Sequence, residues 1–324
     1  MAEDGRTRRP TRIILVRHGE SEGNVDQKKY CHIADPKIRL TEAGANQAQK
    51  CGQKIRNIIE RGSPKDDWLV HFYVSPYTRT LCTLKEIGRA FEKEQIVGVR
   101  EEPRIREQDF GNFQNKNQMK MVKEIRQRFG RFFYRFPEGE SAADVFDRVT
   151  SFLESLWRDI DMNRLNKHTN QKEVNLVIVS HGVTMRVFLM RWFKWTTQQF
   201  EMLNNPTNCE VRVMQLGEGG EYSLLVHHTE EELKHWGLSQ EMINDQKWRK
   251  TTRRGQWSDH WPWSGTQFFD NYKEDICSPR EIEAAEELTE ENYCLVNNNG
   301  ICHDVEPDLS QTPLEMVDLT SSLE

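Results

Sequence analysis

Residues 12–24 contain the feature that most constrains this chain, a run of aliphatic residues that ends abruptly in polar ones. The run at 13–16 has the length and composition of a strand buried in a parallel sheet, and Arg17, His18 and Gly19 follow it directly. In open α/β sheets, chemistry takes place just outside the carboxyl ends of such strands. A histidine at that position, beside an arginine and a glycine, is a candidate nucleophile next to an anion site.

A second segment repeats the arrangement. Residues 174–180 have the pattern of a buried strand, and His181 and Gly182 follow directly. Two histidine–glycine pairs at strand ends, one near each end of a domain, indicate a catalytic site more sharply than either pair alone.

Strand and helix patterns alternate along most of the chain. This alternation predicts an α/β fold, a three-layer α/β/α sandwich with a mostly parallel sheet. The predicted strands cover residues 12–17, 70–75, 96–100, 174–180, 210–216 and 221–227, and the predicted helices cover about 41–61, 77–93, 117–129, 141–160 and 183–194.

Composition divides the chain into four segments. We predict a flexible amino terminus at 1–10, a catalytic domain at 11–228, a helical and Trp-rich extension packed on it at 229–277, and an acidic, disordered tail at 278–324. Of the 51 acidic residues, 12 lie between 281 and 324, where there is no Lys or Arg, so the rest of the chain carries 39 acidic and 45 basic side chains. The mildly basic body suits an anionic substrate, and the tail is a candidate surface for a protein partner.

The residues near the two histidines are of the types that phosphoryl transfer needs. Attack by a histidine on phosphorus requires cations for the phosphoryl oxygens and a proton donor for the leaving oxygen. Arg17 and Arg79 are candidate cations, and Glu107, in a loop-like stretch, is a candidate general acid. Further candidate phosphate ligands are His181, Ser21, Asn24 and Gly182. Bidentate arginines supply the charge, so the pattern requires no metal and no cofactor.

Six sequence blocks, in a fixed order, cover most of residues 12–216. They are LVRHGESEGN at 15–24, LTEAGANQA at 40–48, SPYTR at 75–79 with Thr83, IREQDFG at 105–111, PEGES at 137–141 with Arg148, and VSHG at 179–182. In these blocks the chain strongly resembles the histidine phosphatase superfamily, which has the phosphoglycerate mutase-like fold. The resemblance implies that His18 is the phosphorylated nucleophile, that Arg17, Arg79 and a protonated His181 complete the phosphate pocket, and that Glu107 is the proton donor.

Two longer stretches narrow the resemblance. Residues 102–114 and 132–145 are similar to a eukaryotic branch of the superfamily that includes plant phosphoglycerate mutase-like proteins and a yeast broad-range acid phosphatase.

The superfamily contains mutases as well as phosphatases. Mutases similar to the glycolytic enzyme usually continue after the donor glutamate with Arg-His-Tyr-Gly, whereas this chain has Gln-Asp-Phe-Gly at 108–111. The span from Glu107 to His181 also looks shorter than the mutase insertion. Both differences favour hydrolysis, so we predict a phosphatase acting on a small phosphorylated substrate. Phosphoglycerate mutase-type transfer and a non-catalytic phospho-ligand-binding adaptor stay open as alternatives.

The chain lacks the motifs of two other phosphoryl-transfer classes, since it has no GxxxxGK[ST] segment and no Cys-x5-Arg spacing.

The basic segment at 126–136 has two interpretations. It is either a lid that selects the substrate or an amphipathic helix with its aromatic face in the core. Its arginines, which alternate with aromatic residues, are Arg126, Arg128, Arg131 and Arg135.

Cellular context is read from composition. No apolar run is long enough to span a bilayer, and the basic cluster at 247–254 is explained more simply by an exposed helix than by nucleic-acid binding. Seven scattered cysteines without CxxC pairing suit a reducing compartment, so we predict the cytoplasm, with the nucleus as the second candidate. No residue pattern indicates an oligomeric state.

Overall fold

Six strands form a single sheet in the computed structural model, which describes residues 9–63, 67–111, 116–166, 173–253 and 255–256. The strands are β1 (Arg12–Arg17), β2 (Trp68–Val74), β3 (Ile96–Glu101), β4 (Glu173–Ser180), β5 (Val211–Leu216) and β6 (Tyr222–Ser223). The helices are α1 (Glu22–Val25), α2 (Glu42–Gly62), α3 (Thr78–Gly88), α4 (Lys116–Phe129), α5 (Ala142–Asp161), α6 (Gly182–Phe193), α7 (Thr197–Met202), α8 (Glu230–His235) and α9 (Gln240–Thr251). Residues 1–8, the Trp-rich stretch from residue 257 and the acidic tail lie outside the described residues, so what we predict for them stays a prediction.

The strand order in the sheet is β3-β2-β4-β1-β5-β6. The strands β3, β2, β4 and β1 are parallel to one another, whereas β5 and β6 add antiparallel pairs at one edge. The predicted mostly parallel sheet is therefore confirmed.

Helices cover both faces of the sheet because side chains alternate between its faces along each strand. On β1, Ile13 and Leu15 pack in a core that includes residues of α5 and α6, whereas Ile14 and Val16 pack in a second core with residues of α2 and α3. The near-continuous apolar run of β1 follows from this burial on both sides. The three-layer α/β/α architecture is confirmed.

Helix α2 illustrates how the sequence sets an element of these layers. Its N-cap residue Thr41 accepts a hydrogen bond from the backbone N–H of Gly44 at 3.0 Å. Buried residues then recur at helical spacing at Ala48, Cys51, Ile55 and Ile59. Each isoleucine buried in this way contributes roughly 2 kcal/mol of transfer free energy.

The strand predicted at 221–227 is wrong in length, since β6 contains only Tyr222 and Ser223. The chain turns after these residues, and the Leu224 carbonyl oxygen accepts the backbone N–H of His228 at 3.1 Å. The side chain of His228 then takes the place of a strand partner, because its Nε2 accepts the N–H of Val213 on β5 at 2.9 Å. A side-chain acceptor of this kind cannot be read from apolar alternation.

The helix predicted at 77–93 ends earlier than expected, at Gly88. Backbone N–H groups of Ala90 and Phe91 donate to the carbonyl oxygens of Ile87 and Gly88, three residues back, which tightens the chain away from α-helical geometry.

The described part of the predicted extension consists mainly of α8 and α9. Leu233 on α8 and Ile243 on α9 are fully buried in the same core as α5 and α6. In the basic cluster, Arg249 is buried and forms ion pairs with Asp245 at 2.7 Å and Glu221 at 2.5 Å. The domain boundaries themselves stay a prediction.

Candidate active site

Three neighbouring strands end at one edge of the sheet. β1 and β2 both pair in parallel with β4, and the residues that follow these strands are His18, Ser75 and His181. The backbone N–H of His18 donates to the Ser180 carbonyl oxygen at 3.0 Å, and the ring centroids of His18 and His181 are 5.2 Å apart. The strand register thus brings the two predicted histidines together.

The hydrogen bond of the His18 ring leaves one nitrogen for attack. Nδ1 lies 2.7 Å from the Gly19 carbonyl oxygen, which can only accept, so Nδ1 carries the hydrogen and Nε2 keeps a free lone pair. Burial, followed by the charges of Arg79 and Arg17, lowers the pKa of His18 well below its ordinary value. The lowered pKa favours the unprotonated ring, which is the form that can attack phosphorus.

The loop that carries His18 approaches α2 so closely that two glycines are needed. A Cβ on Gly19 would lie 2.5 Å from the Gly44 carbonyl oxygen, and a Cβ on Gly44 would collide with the Glu20 carbonyl oxygen. The Gly19 N–H donates to Thr83 Oγ1 at 3.0 Å, and this hydroxyl donates to the Arg79 carbonyl oxygen at 2.7 Å. Thr83 thereby links the loop that carries His18 to the helix that carries Arg79.

Two arginines with unused donors lie at the site. Arg79 is 2% exposed, and its Nη1 donates to Asp35 Oδ1 at 2.6 Å. Arg17 Nη1 donates to the Pro206 carbonyl oxygen at 2.5 Å. The Nε atoms of both guanidiniums are buried and have no hydrogen-bond partner within the described ranges. Because buried N–H groups are normally paired, these donors indicate a site for an anion.

His181 is held by the end of β2. Its Nε2 lies 2.7 Å from Ser75 Oγ, and its Nδ1 is buried without a partner among the residues described. Burial, and then the charge of Arg79, lowers the pKa of His181 well below its ordinary value. A neutral His181 is therefore favoured over the protonated form expected from the sequence, until a phosphoryl dianion supplies the opposite charge.

Glu107 has the opposite shift. Its carboxyl group is buried, and Oε1 accepts the backbone N–H of Gln108 at 3.1 Å. Burial raises the pKa of Glu107 above its ordinary value, although the charge of Arg79 acts against the rise. The side chain consequently holds a proton at a pH where an exposed glutamate has lost it, as a general acid must.

The loop that carries Glu107 is braced by Arg148 on α5. The guanidinium donates to the carbonyl oxygens of Arg106 at 2.9 Å and Glu107 at 3.0 Å. It also makes a bidentate pair with the Glu140 carboxylate, with both N···O distances at 3.0 Å. Glu140 in turn accepts the backbone N–H of Asp109 at 3.0 Å. This network fixes the backbone on both sides of the donor carboxyl.

Replacing Arg148 with Gln is expected to loosen this loop. Loss of Arg148 removes one of the two arginines that pair with Glu140, and it leaves the carbonyl oxygens of Arg104, Arg106 and Glu107 with fewer donors. The free energy of unfolding should therefore fall by about 3 kcal/mol. Urea denaturation measures this change. The matched control is Arg135→Gln, because the Arg135–Asp144 pair is exposed and should contribute less than about 1 kcal/mol. Equal losses in the two variants would contradict the bracing role.

Ser21 is the N-cap of α1, Asn24 lies within that helix, and Gly182 directly follows His181. Asn24 Oδ1 accepts the backbone N–H of Ser21 at 3.0 Å and the side-chain amide of Asn208 at 3.1 Å. The same Asn208 amide donates to the His18 carbonyl oxygen at 3.1 Å. Gly182 is the first residue of α6. Phosphate contacts by these three residues stay a prediction.

The four arginines of the basic segment occupy different environments. Arg135 forms its exposed pair with Asp144, Arg131 pairs with Glu201 at 3.1 Å, and Arg128 lies near the end of α4. Arg126 Nη2 donates to the side-chain oxygen of Gln108, the neighbour of Glu107, at 3.3 Å. Among the aromatic residues, Phe132 and Phe136 are buried whereas Phe129 and Phe133 are exposed. The segment therefore combines buried aromatic side chains with one arginine, Arg126, that contacts the neighbour of Glu107.

A second group of cations lies near Glu107. Arg186 on α6 is buried and donates to the Leu203 carbonyl oxygen at 3.2 Å. Burial, and then the like charges of Arg131 and Arg126, lowers the pKa of Arg186 to about 9, so it is still charged at neutral pH. The Nε of Arg126 is buried without a partner in the described structure. Glu107 thus interacts electrostatically with Arg126 and Arg186 as well as with Arg17 and Arg79.

Several residues of the site were given no role from the sequence. Ser75, Thr83 and Arg148 belong to the sequence blocks quoted above, and their place in these blocks could have identified them as site residues. Asp35 lies between two blocks, and nothing in its spacing connects it with Arg79.

Two other kinds of feature were sought in the described part of the chain. None of the helices there is long and apolar enough to cross a membrane. No group of three or more His, Cys, Asp or Glu side chains placed to hold a metal ion occurs there either.

Comparison with known proteins gives consistent matches. A profile of the histidine phosphatase superfamily (branch 1) matches residues 13–229, a range that contains all the site residues named above. Two phosphoglycerate mutase-like proteins of Arabidopsis thaliana are each 60% identical: AT74 over 90% of this chain and 90% of its own length, and AT74H over 74% and 85%. The broad-range acid phosphatase DET1 of Saccharomyces cerevisiae is 33% identical over 65% of this chain and 86% of its own length.

Proposed function

The chain belongs to the histidine phosphatase superfamily, and on that premise we propose that it is a phosphatase that hydrolyses phosphomonoesters through a phosphohistidine on His18. The observation that carries the proposal is the state of the His18 ring, whose Nε2 is free while Nδ1 donates to Gly19. The buried, unpartnered Nε atoms of Arg17 and Arg79 support it, because they can bind the phosphoryl oxygens.

In the first step, Nε2 of His18 attacks phosphorus and the bond from phosphorus to the ester oxygen breaks. Glu107 transfers its proton to the departing oxygen, which leaves as an alcohol. Arg17 and Arg79 neutralise charge on the transferring group, as phosphoryl transfer requires.

In the second step, water attacks the phosphorus of the phosphohistidine. Glu107, now a carboxylate, accepts the proton from that water, the nitrogen–phosphorus bond breaks, and inorganic phosphate is formed. The free lone pair returns to Nε2, and Glu107 is again protonated for the next substrate.

The two pKa shifts make the required protonation states compatible. With ordinary values of about 6.5 for His and about 4.3 for Glu, a pair with neutral His and protonated Glu would be a minor form at every pH. Burial lowers the pKa of His18 and raises the pKa of Glu107, so both changes increase the population of the reactive pair. We therefore expect activity in neutral to mildly acidic solution.

A panel of phosphomonoesters tests hydrolysis against its alternatives. Phosphate release is measured for each compound, and 3-phosphoglycerate is also supplied with a trace of 2,3-bisphosphoglycerate to detect isomerisation. Release without isomerisation supports the phosphatase. Isomerisation without release would establish a mutase, and no reaction with any compound would favour the adaptor.

The leaving alcohol is proposed to carry a second anionic group. Glu107 gives its proton to the leaving oxygen, so side chains near Glu107 and away from the phosphoryl group are placed to contact the alcohol. Arg126 is tied to Gln108, the neighbour of Glu107, and has a buried N–H without a partner in the described structure. A carboxylate or a second phosphate on the alcohol would compensate the charges of Arg126 and Arg186.

An Arg126→Gln variant tests this preference. We expect kcat/KM for 3-phosphoglycerate to fall about 30-fold more than kcat/KM for glycerol 3-phosphate, which corresponds to one charged hydrogen bond of about 2 kcal/mol. Steady-state kinetics on the two substrates gives the ratio. Arg135→Gln, in the exposed pair with Asp144, is the control. A matching decrease on both substrates would remove Arg126 from substrate selection.

A further inference from the structure

The phosphate-site arginine Arg79 is already paired with a carboxylate. Its Nη1 donates to Asp35 Oδ1 at 2.6 Å and to the Asp35 carbonyl oxygen at 2.8 Å. Arg79 is buried, whereas the Asp35 side chain is 26% exposed. Because an unpaired buried cation is costly, Asp35 stabilises Arg79 in the folded protein.

The same carboxylate opposes the binding of phosphate. Arg17 and Arg79 contribute two positive charges to the site, whereas burial lowers the pKa of His18 and of His181 and favours their neutral forms. Asp35 reduces this positive charge to one, although a phosphoryl dianion carries two negative charges. The dianion and the Asp35 carboxylate therefore compete for the same guanidinium.

Three other ionisable side chains near this pair do not take over the role of Asp35 as the ion-pair partner of Arg79. Tyr30, Tyr77 and Glu107 all interact electrostatically with it. Burial raises the pKa of both tyrosines and of Glu107, which favours their neutral forms. Among the described residues, Asp35 is thus the carboxylate that lies within ion-pair distance of Arg79.

The position of Asp35 allows it to withdraw. It begins a short 3-10 turn, Asp35–Lys37, in which the Ile38 N–H donates to its carbonyl oxygen at 3.2 Å. The following residue of the chain, Ile38, is fully buried and anchors one end of the turn. The carboxylate is partly exposed, so water can solvate it when a bound phosphate weakens its pairing with Arg79.

We propose that Asp35 is a positioning residue that competes with the transferred phosphoryl group for Arg79. It orients the guanidinium through Nη1, so that Nε stays available to an anion. It also lowers the affinity of the site for inorganic phosphate, which favours release of the product. The role in product release rests on the proposed function, whereas the competition for Arg79 concerns binding alone.

Asp35→Asn tests the competition, because the amide keeps the shape and one acceptor oxygen but removes the charge. Inorganic phosphate binding to the full chain is measured by isothermal titration calorimetry at neutral pH. We expect the Kd for phosphate to decrease about tenfold, which corresponds to about 1.4 kcal/mol of like-charge repulsion removed. The KM for a phosphomonoester should decrease in parallel, and kcat should decrease because phosphate leaves more slowly.

Three further variants complete the test. Asp35→Ala, also uncharged, should bind phosphate more tightly than the wild type but less tightly than Asp35→Asn, because Arg79 loses an orienting acceptor. Asp35→Glu should restore the Kd of the wild type. Asp26→Asn is the matched control, since Asp26 caps the preceding turn through the Lys28 N–H at 2.9 Å and should leave phosphate binding unchanged.

Weaker or equal phosphate binding in both uncharged variants would overturn the proposal, because Asp35 would then only hold Arg79 in place. Calorimetry does not depend on turnover. Tighter binding by Asp35→Asn together with no hydrolysis by the wild type would therefore reject the proposed function without rejecting the competition.

Discussion

His18→Ala is expected to abolish hydrolysis and covalent phosphorylation together. The variant loses the Nε2 that attacks phosphorus, and no other described histidine both lies beside Arg17 and Arg79 and has a tautomer fixed by a backbone carbonyl. His181 is close, but its Nε2 is occupied by Ser75. We expect kcat to fall by at least about 10⁴-fold, as for other enzymes that lose the nucleophile.

Two measurements check this result on the same samples. Phosphate release gives the rate, and acid-labile, base-stable labelling from a phosphorylated substrate gives the covalent intermediate. His227→Ala is the control, since His227 lies 3.0 Å from Gln215 on β5, away from the site. Thermal unfolding confirms that both variants are folded. Hydrolysis retained by His18→Ala would reject the phosphohistidine mechanism.

Glu107→Gln should have the second largest effect, and the effect should depend on the leaving group. General acid catalysis contributes roughly 10²–10⁴-fold. An alkyl phosphate needs a proton on its leaving oxygen, so kcat should fall by about 10³-fold. With p-nitrophenyl phosphate the leaving oxygen is stable as an anion, and the loss in the first step should be much smaller. Glu101→Gln, an exposed position at the end of β3, is the control.

The pH dependence gives an independent test of Glu107. Its pKa is raised, chiefly by burial, so the protonated form that the first step needs persists above the ordinary range of a glutamate. As pH rises through that raised pKa, kcat of the wild type for an alkyl phosphate should decline. The Gln variant should lack this decline. An equal loss of activity on both substrates, with the decline unchanged, would show that another group donates the proton.

The predicted fold and the central residues of the site followed from strand patterns. His18 and His181 were found because each ends an apolar run, and parallel strands end at one edge of a sheet. The predicted membership of the histidine phosphatase superfamily is confirmed by the profile match and by the plant and yeast relatives. The apolar runs were visible in the sequence because the strands are buried on both faces of the sheet. The strand pairing confirms the predicted mostly parallel sheet.

Contacts between side chains far apart in sequence were not predictable. The pair of Arg79 and Asp35 joins residues 44 positions apart, and Arg148 reaches the Glu107 carbonyl oxygen across 41 positions. Neither contact produces a periodic or local pattern. The burial that lowers the pKa of His181 was also not predictable, because it depends on packing and on Arg79 rather than on neighbouring residues in the chain.

The division between the sheet and the α4 segment has an evolutionary consequence. Backbone pairing of β1, β2 and β4 fixes the spacing of His18, Ser75 and His181. Arg126, in contrast, lies on helix α4, outside the sheet, and contacts the site through Gln108. Substitutions at exposed positions of the α4 segment, such as Phe129 and Phe133, leave that pairing intact, whereas Phe132 and Phe136 are buried. Under the proposed function, a chain of this kind can change its preference for the leaving alcohol through substitutions in one segment, while the paired strands hold the residues of the chemical step in place.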